Sequence, residues 1–289
     1  MGLEHQFVTA LYSASHQALP CHTVDIWHPL GDPPGADDGL WIIFIHGGAW
    51  RDPSITSQFA HTAVSKLCRS GGQAGIAGIA SINYRLSPSD RHPAKANDPC
   101  RQAKHPDHLV DVVAAIHYLQ ERFQFGDRYI MIGHSCGAAL AFQTLQWQAR
   151  NPSPGFSEPR AIVGVAGIYD FPLLRSLDPK PPTVQNFLTA AFGPEEQIWL
   201  EQSPVNSDYE EIWSSGMAVI LARCADDEYV SPQQQVRMNE SLATWASNRS
   251  ERVLKMVMLD GGHDNPWVHG KGLVECVEAT LACLASVEK

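Results

Sequence analysis

Residues 129–137 turn from a strand into a helix through five residues, and that corner limits what the rest of the chain can be. Tyr129-Ile130-Met131-Ile132 is a short apolar run, and Ala138-Ala139-Leu140-Ala141-Phe142 is made of good helix formers. Between them stands Gly133-His134-Ser135-Cys136-Gly137. A turn so tight leaves no room for side chains two residues before and after its apex, which is the physical demand for the two glycines. Ser135 is thereby held out on a strained bend between a buried strand and a helix, the arrangement of a nucleophile elbow. In isolation the pentapeptide would read as a plain glycine-rich turn, so its weight depends on what surrounds it.

The surroundings repeat the same rhythm. Thr23 to Trp27 reads as an early strand, followed by a Gly31-Asp32-Pro33-Pro34-Gly35 loop. Leu40 to Ile45 is continuously apolar, as suits a central strand buried on both faces, and it ends at His46-Gly47-Gly48. Thr56 to Cys68 reads as helix and Ile76 to Tyr84 as strand. Within Pro106 to Phe123, Leu109, Val112, Val113, Ile116 and Leu119 form an apolar stripe at helical period. Arg160 to Ala166, Met217 to Leu221 and Val253 to Leu259 are three further apolar strands. Such alternation predicts an α/β fold in one domain, with a mainly parallel central sheet flanked by helices. The rhythm breaks between Tyr169 and Gly216, where prolines interleave with aromatics, and residues 169–216 read as an insertion over the sheet edge, a small lid or cap.

Bulk properties narrow the function. A chain of 289 residues can bury a large core, and its net charge of −10 with no basic stripe argues against nucleic acid or an anionic membrane surface as partner. Seven cysteines, odd in number and scattered without Cys-x-x-Cys spacing, point to a reducing compartment and hence to a cytoplasmic protein. Met1 to Pro20 lacks the continuous apolar stretch of a secretory signal, and Gln6 breaks the myristoylation pattern opened by Met1-Gly2. A small-molecule substrate is the expected partner, with a homodimer compatible with these properties.

A serine hydroxyl is a poor nucleophile near neutral pH and needs a base, and the base needs an acid to hold its tautomer. In an elbow-type hydrolase these follow the serine in the order acid, then histidine, each on a loop after a later strand. Both places are filled. Arg223-Cys224-Ala225-Asp226-Asp227-Glu228-Tyr229-Val230-Ser231-Pro232 offers Asp227 as the acid, with Asp226 and Glu228 as alternatives. Asp260-Gly261-Gly262-His263-Asp264 offers His263 as the base; His269, six residues on, fits less well, and His134 is expected to pack beneath the turn. Donors for the developing oxyanion are expected from the Cys136 backbone N–H and from His46-Gly47-Gly48-Ala49-Trp50, at Gly48 or its neighbour. His105-Pro106-Asp107-His108 with Asp111 lacks the spacing of a zinc site and reads as the polar start of a helix, so no metal is expected. Of Trp50, Tyr169, Phe171, Phe187, Phe192 and Trp267, two or three are expected to line a substrate pocket at the carboxyl ends of the strands.

With His46 to Trp50, Asn83-Tyr84-Arg85-Leu86-Ser87-Pro88, the Gly133 to Gly137 corner and the Asp227 and His263 loops in hand, the chain resembles the α/β-hydrolase superfamily over nearly its whole length. More narrowly it is similar to fungal kynurenine formamidases, whose His-Gly-Gly-x-Trp box residues 46–50 satisfy; Ala49 departs from the His-Gly-Gly-Gly of hormone-sensitive-lipase-like esterases. That resemblance implies hydrolysis of N-formyl-L-kynurenine to L-kynurenine and formate, a step of tryptophan breakdown toward NAD, through a formyl-enzyme and without a cofactor. The alternatives are a carboxylesterase or secondary-metabolite hydrolase on the same scaffold, and a non-catalytic binding protein that kept the fold.

Overall fold

Alternate residues of one strand divide the core in two. In β3 (Leu40–Ile45), Trp41, Ile43 and Ile45 point into one apolar cluster while Ile42 and Phe44 point into another, because successive side chains of a strand leave opposite faces of the sheet. The first cluster is completed by α2 (Asp107–Phe123) and α3 (Cys136–Arg150), the second by α1 (His61–Ser70) and α10 (Lys271–Val287). A continuously apolar strand is thus what a sheet covered on both sides requires, and each fully buried Ile or Phe contributes roughly 1.5–3 kcal/mol. This computed structural model describes residues 5–12, 18–29, 39–70, 75–93, 97–178 and 180–287. The Gly31 to Gly35 loop, Met1-Gly2 and the middle of the Met1 to Pro20 stretch lie outside the described residues.

The sheet has the order β1-β2-β4-β3-β5-β6-β7-β8, with β1 (His5–Leu11), β2 (Thr23–Pro29), β4 (Ile76–Ile82), β5 (Tyr129–His134), β6 (Ala161–Val165), β7 (Ala218–Cys224) and β8 (Val253–Leu259). From β4 to β8 every pairing is parallel; β1 and β2 are antiparallel additions at one edge. β1 has no counterpart in the sequence reading. Its sequence is only partly apolar, and Phe7 and Leu11 remain exposed, because the edge strand covers β2 without being covered itself. The helical stretch expected from Thr56 begins as a 3-10 turn (Ser57–Ala60) before α1.

Between β6 and β7 the chain forms α4 (Phe171–Ser176), α5 (Thr183–Phe192), α6 (Glu196–Gln202) and α7 (Tyr209–Ile212), which occupy the stretch where the strand and helix rhythm fails. After β7 come α8 (Pro232–Ser247), started by the Ser231 side chain accepting from Gln233 N–H, and after β8 the short α9 (Asn265–Val268).

Two buried features settle what the sequence left open. Asp111 on α2 is wholly buried and accepts from Arg85 N–H (2.9 Å) and, at 2.8 Å each, from Arg85 Nε and Nη2. Burial raises its pKa, but hydrogen bonds from His22 and Arg85 win and hold it below the ordinary carboxylate range. Beside it His108 meets Ser87 Oγ at 2.9 Å, so this polar cluster fastens the Asn83 to Pro88 segment to α2. The cysteine reading needs correction: Cys21 and Cys100 are joined in a disulfide with Cα atoms 5.8 Å apart, because the turn before β2 and the turn at Pro99–Arg101 meet in space across 79 residues of sequence. Scattered spacing in the sequence could not reveal that approach.

Candidate active site

The corner at Ser135 has the conformation its sequence demands. Ser135 takes φ 53° and ψ −120°, a strained backbone for a residue with a side chain, where β5 passes into α3. A Cβ on Gly133 would fall 2.2 Å from Gly137 O, and one on Gly137 would fall 2.3 Å from Ile45 O. The first glycine lets the incoming strand pass under the helix start, and the second lets that start press on the end of β3.

His263 follows β8 and is held from three sides. Its Nδ1 lies 2.9 and 3.0 Å from the two Asp227 carboxylate oxygens. Its backbone N–H donates to Glu228 Oε2 (3.0 Å), and its carbonyl accepts from His134 Nε2 (3.0 Å). The three neighbouring acids therefore separate by position. Asp227 meets the imidazole, Glu228 meets the backbone, and Asp226 is exposed, its N–H donating to Gly261 O. Asp227 also accepts from Tyr229 and Val230 N–H at 3.0 and 2.8 Å. Burial would raise its pKa, yet the bonds from His263, Val230 and Tyr229 hold it low, so the carboxylate stays charged opposite the imidazole. His134 is wholly buried and desolvation pushes it down to about 3; it is a neutral donor that fixes the His263 loop. His269 is exposed and lies away from this pairing.

The residues 46–50 form the facing wall. Gly48, Ala49 and Trp50 all have positive φ (95°, 49° and 58°), curling the chain so that its amides turn inward, and Arg51 and Asp52 N–H both close back on Gly48 O. Trp50 N–H donates to Cys136 Sγ (3.3 Å), and the Ala49 N–H also bears on that thiol, while Gly48 and Ala49 line the cavity beside Ser135. Tyr84 braces the curl from behind: its hydroxyl donates to His46 O (2.9 Å), and its ring stacks on His46 at 4.3 Å. Burial pushes His46 down to about 4 and the Cys136 thiol up to about 11, leaving both neutral beside the serine.

Ser135 and His263 open on one cavity of about 380 Å³, without a hydrogen bond between them. Gly48, Ala49, Tyr229 and Val230 line it, and Leu174, Val184 and Phe187 from the insertion close one wall. Of the six candidate aromatics, two or three of which were expected there, only Phe187 lines the cavity. Trp50, Phe171 and Phe192 pack on one another with ring centroids 4.8–5.6 Å apart, Tyr169 is buried under α3, and Trp267 joins the opposite core. Large rings gain more by burying each other than by facing a cavity, so Trp50 serves as a strut between the curl and the insertion.

Residues 42–203, from β3 through the corner and into the insertion, match the family described as having the alpha/beta hydrolase fold. The chain belongs to the α/β-hydrolase family. This hydrolase is 48% identical over 277 residues to the kynurenine formamidase-like hydrolase of Fusarium equiseti, covering 93% of this chain and 92% of that one. It is 34% identical to the kynurenine formamidase of Aspergillus versicolor (91% and 95% covered) and 34% identical to that of Meyerozyma guilliermondii (80% and 81%). The similarity to fungal kynurenine formamidases read from residues 46–50 is borne out by these relatives. Among solved structures, esterase B of Lactobacillus rhamnosis superposes with a TM-score of 0.67 at 14% identity, covering 98% of this chain and 87% of that one. At that identity the likeness concerns the fold alone.

Within this hydrolase His134, His263 and Asp264 bring ligand-type atoms within 4.8 Å of one another. Their contacts explain the closeness: His263 Nδ1 meets Asp227, His134 Nε2 meets a carbonyl, and Asp264 Oδ1 accepts from Trp267 Nε1. Three residues of the site were not singled out from sequence. Tyr229 stands edge-on to the His263 ring at 5.4 Å, Tyr84 braces the curl, and Arg51 lies on the cavity wall. Tyr229 and Arg51 each adjoin a motif residue, which was the available signal.

Proposed function

We propose that this chain hydrolyses N-formyl-L-kynurenine to L-kynurenine and formate through Ser135, His263 and Asp227. The observation that carries the reaction class is the opening of Ser135 and the Asp227-held His263 onto one cavity. The choice of acyl group is supported by two relatives that align with nine-tenths of the chain, one named a kynurenine formamidase-like hydrolase and one a kynurenine formamidase.

His263, kept in the Nδ1–H tautomer by Asp227, presents Nε2 to the cavity and takes the proton of Ser135 Oγ as that oxygen attacks the formyl carbon. The carbonyl electrons move to oxygen, which is received by the Cys136 N–H and by Gly48 or Ala49 N–H. Each such donor is worth about 2.7–4 kcal/mol to the transition state. Collapse expels the arylamine nitrogen, which collects the proton from His263, and leaves the formyl ester on Ser135. Water, deprotonated by His263, attacks that ester and releases formate. The small formyl group suits the crowded floor between Ser135 and the curl, while the aryl ketone extends under Phe187 and the helices of residues 169–216, which act as a cap.

Formate release from N-formyl-L-kynurenine, measured beside hydrolysis of a short-chain aryl ester, tests the proposal. The expected result is a higher kcat/KM for the formamide. A marked preference for longer acyl esters would instead favour a carboxylesterase. An organophosphonate should label the wild type and not Ser135→Ala; failure to label the wild type would count against catalysis altogether.

A further inference from the structure

Hydrolysis of a formyl anilide uses one end of the cavity, yet the charged groups of the remaining walls are arranged unevenly. Each lining carboxylate is already engaged by protein donors. Asp52 accepts from Ser54 N–H and Oγ, Asp178 from Lys180 and Val184 N–H, and Asp264 from the Trp267 indole. Arg91 and Lys180 reach the cavity from exposed positions at its mouth. Arg51 differs from both. It is half-buried, its guanidinium carbon lies 5.6 Å from the Phe187 ring centroid, and among the described residues its side chain makes no ion pair and donates no hydrogen bond. A half-buried guanidinium with no protein acceptor is left to water or to a ligand that carries an acceptor, and a carboxylate is the stronger of the two.

We propose that Arg51 binds the carboxylate at the amino-acid end of the substrate, so that one turn of chain grips both ends of the molecule. This rests on the formamidase reading. Gly48 and Ala49 line the cavity beside Ser135, where the formyl group is placed, and the turn closed by Arg51 N–H and Asp52 N–H on Gly48 O ties them to Arg51 (2.9 Å each). Phe187 lies against the guanidinium, a cation–π contact that restricts where the guanidinium can go, and it lines the same cavity. Burial, and then the charge of Arg91, lower the pKa of Arg51, the response of a cation short of negative company; Asp90 and Asp52 offset this only in part. A formamide lacking the carboxylate would leave that cation unanswered. Arg51 would thus distinguish an amino-acid substrate from a simple formanilide or a neutral ester.

The test compares N-formyl-L-kynurenine with N-formylkynuramine, which lacks the carboxylate, in the wild type, Arg51→Met and Arg51→Lys. The wild type is expected to prefer the carboxylate substrate. Arg51→Met should cut kcat/KM for that substrate roughly 10- to 100-fold more than for N-formylkynuramine, mostly through KM, the scale for losing a hydrogen bond to a charged group. Arg51→Lys should recover part of the difference. Equal losses on both substrates would mark Arg51 as structural and overturn the inference, as would a wild type indifferent to the carboxylate. A wild type that cleaves an aryl ester but neither formamide would refute the formamidase reading itself, and the inference with it.

Discussion

At the scale of single residues, neighbours in sequence have unlike fates because backbone direction, rather than identity, decides what each side chain meets. Asp226, Asp227 and Glu228 are consecutive acids; only Asp227 faces His263 Nδ1, at 2.9 Å, because the turn places its carboxylate over the Tyr229 and Val230 amides. Asp227→Asn is therefore expected to lower kcat by about four orders of magnitude, by stabilising the wrong imidazole tautomer, while Asp226→Asn stays near wild type. Steady-state kinetics on the formamide would check both. That the acid lies in the loop after β7 was legible, with Asp227 the first choice; the elimination of Glu228 was not. That required knowing that Glu228 reaches across to the His263 backbone N–H, 35 residues further along the chain.

At the scale of elements, the corner between β5 and α3 depends on close backbone approach. Gly137→Ala would put a methyl carbon 2.3 Å from Ile45 O and 2.5 Å from His46 O, main-chain atoms that cannot swing aside. The end of β3 would have to move, and with it the curl at Gly48. The expected outcome is a loss of several-fold or more in soluble yield and a depressed Tm, with activity falling further than stability in any protein that folds. Between β4 and α2, the Arg85–Asp111 pair is the fastening. Arg85→Ala removes the cation facing a wholly buried carboxylate, leaving it the residue 85 amide and His22, and should cost about 3 kcal/mol, the lower end for breaking a buried pair, seen as a lower denaturation midpoint. Strands and helices were readable from apolar period throughout the parallel part of the sheet. β1 was missed because an uncovered edge strand carries only half of that pattern, and the aromatics of the insertion could not be sorted because period cannot distinguish a ring facing a cavity, as Phe187 does, from one facing another ring.

At the scale of the whole molecule, burial of neutral imidazoles sets the response to acid. His46 is pushed down to about 4 and His134 and His108 to about 3, each mainly by desolvation, against 6.5 for an ordinary imidazole. Below 6.5 the unfolded chain binds protons that the folded chain refuses. Stability is therefore whole above about pH 6.5 and falls as the pH drops toward 4, at up to about 1.4 kcal/mol per pH unit for each histidine. The depressed carboxylates Asp111 and Asp227 act in the same direction at still lower pH, since their stabilising contribution disappears as they are protonated. Chemical denaturation at about pH 7.5 and about pH 5 should show the midpoint falling with acid, and a midpoint unchanged across that interval would contradict these burials. The Cys21–Cys100 bond makes a second global prediction. Unfolded without reductant, the chain should expose five thiols to a thiol reagent rather than seven, and Cys21→Ser with Cys100→Ser should cost about 2–4 kcal/mol.

By itself the sequence determined the alternation of strand and helix, the strained corner at Ser135 and the order of acid and base after it. These are local matters: apolar period, glycine at positions with no room for a Cβ, and loops that follow strands are written in neighbouring residues. Only the tertiary structure decided which acid meets His263, that Trp50 braces the insertion rather than the substrate, that Cys21 finds Cys100, and that Arg51 stands in the cavity without an acceptor. Each of those depends on residues far apart in the chain arriving within a few ångströms, and no period in the sequence records that arrival.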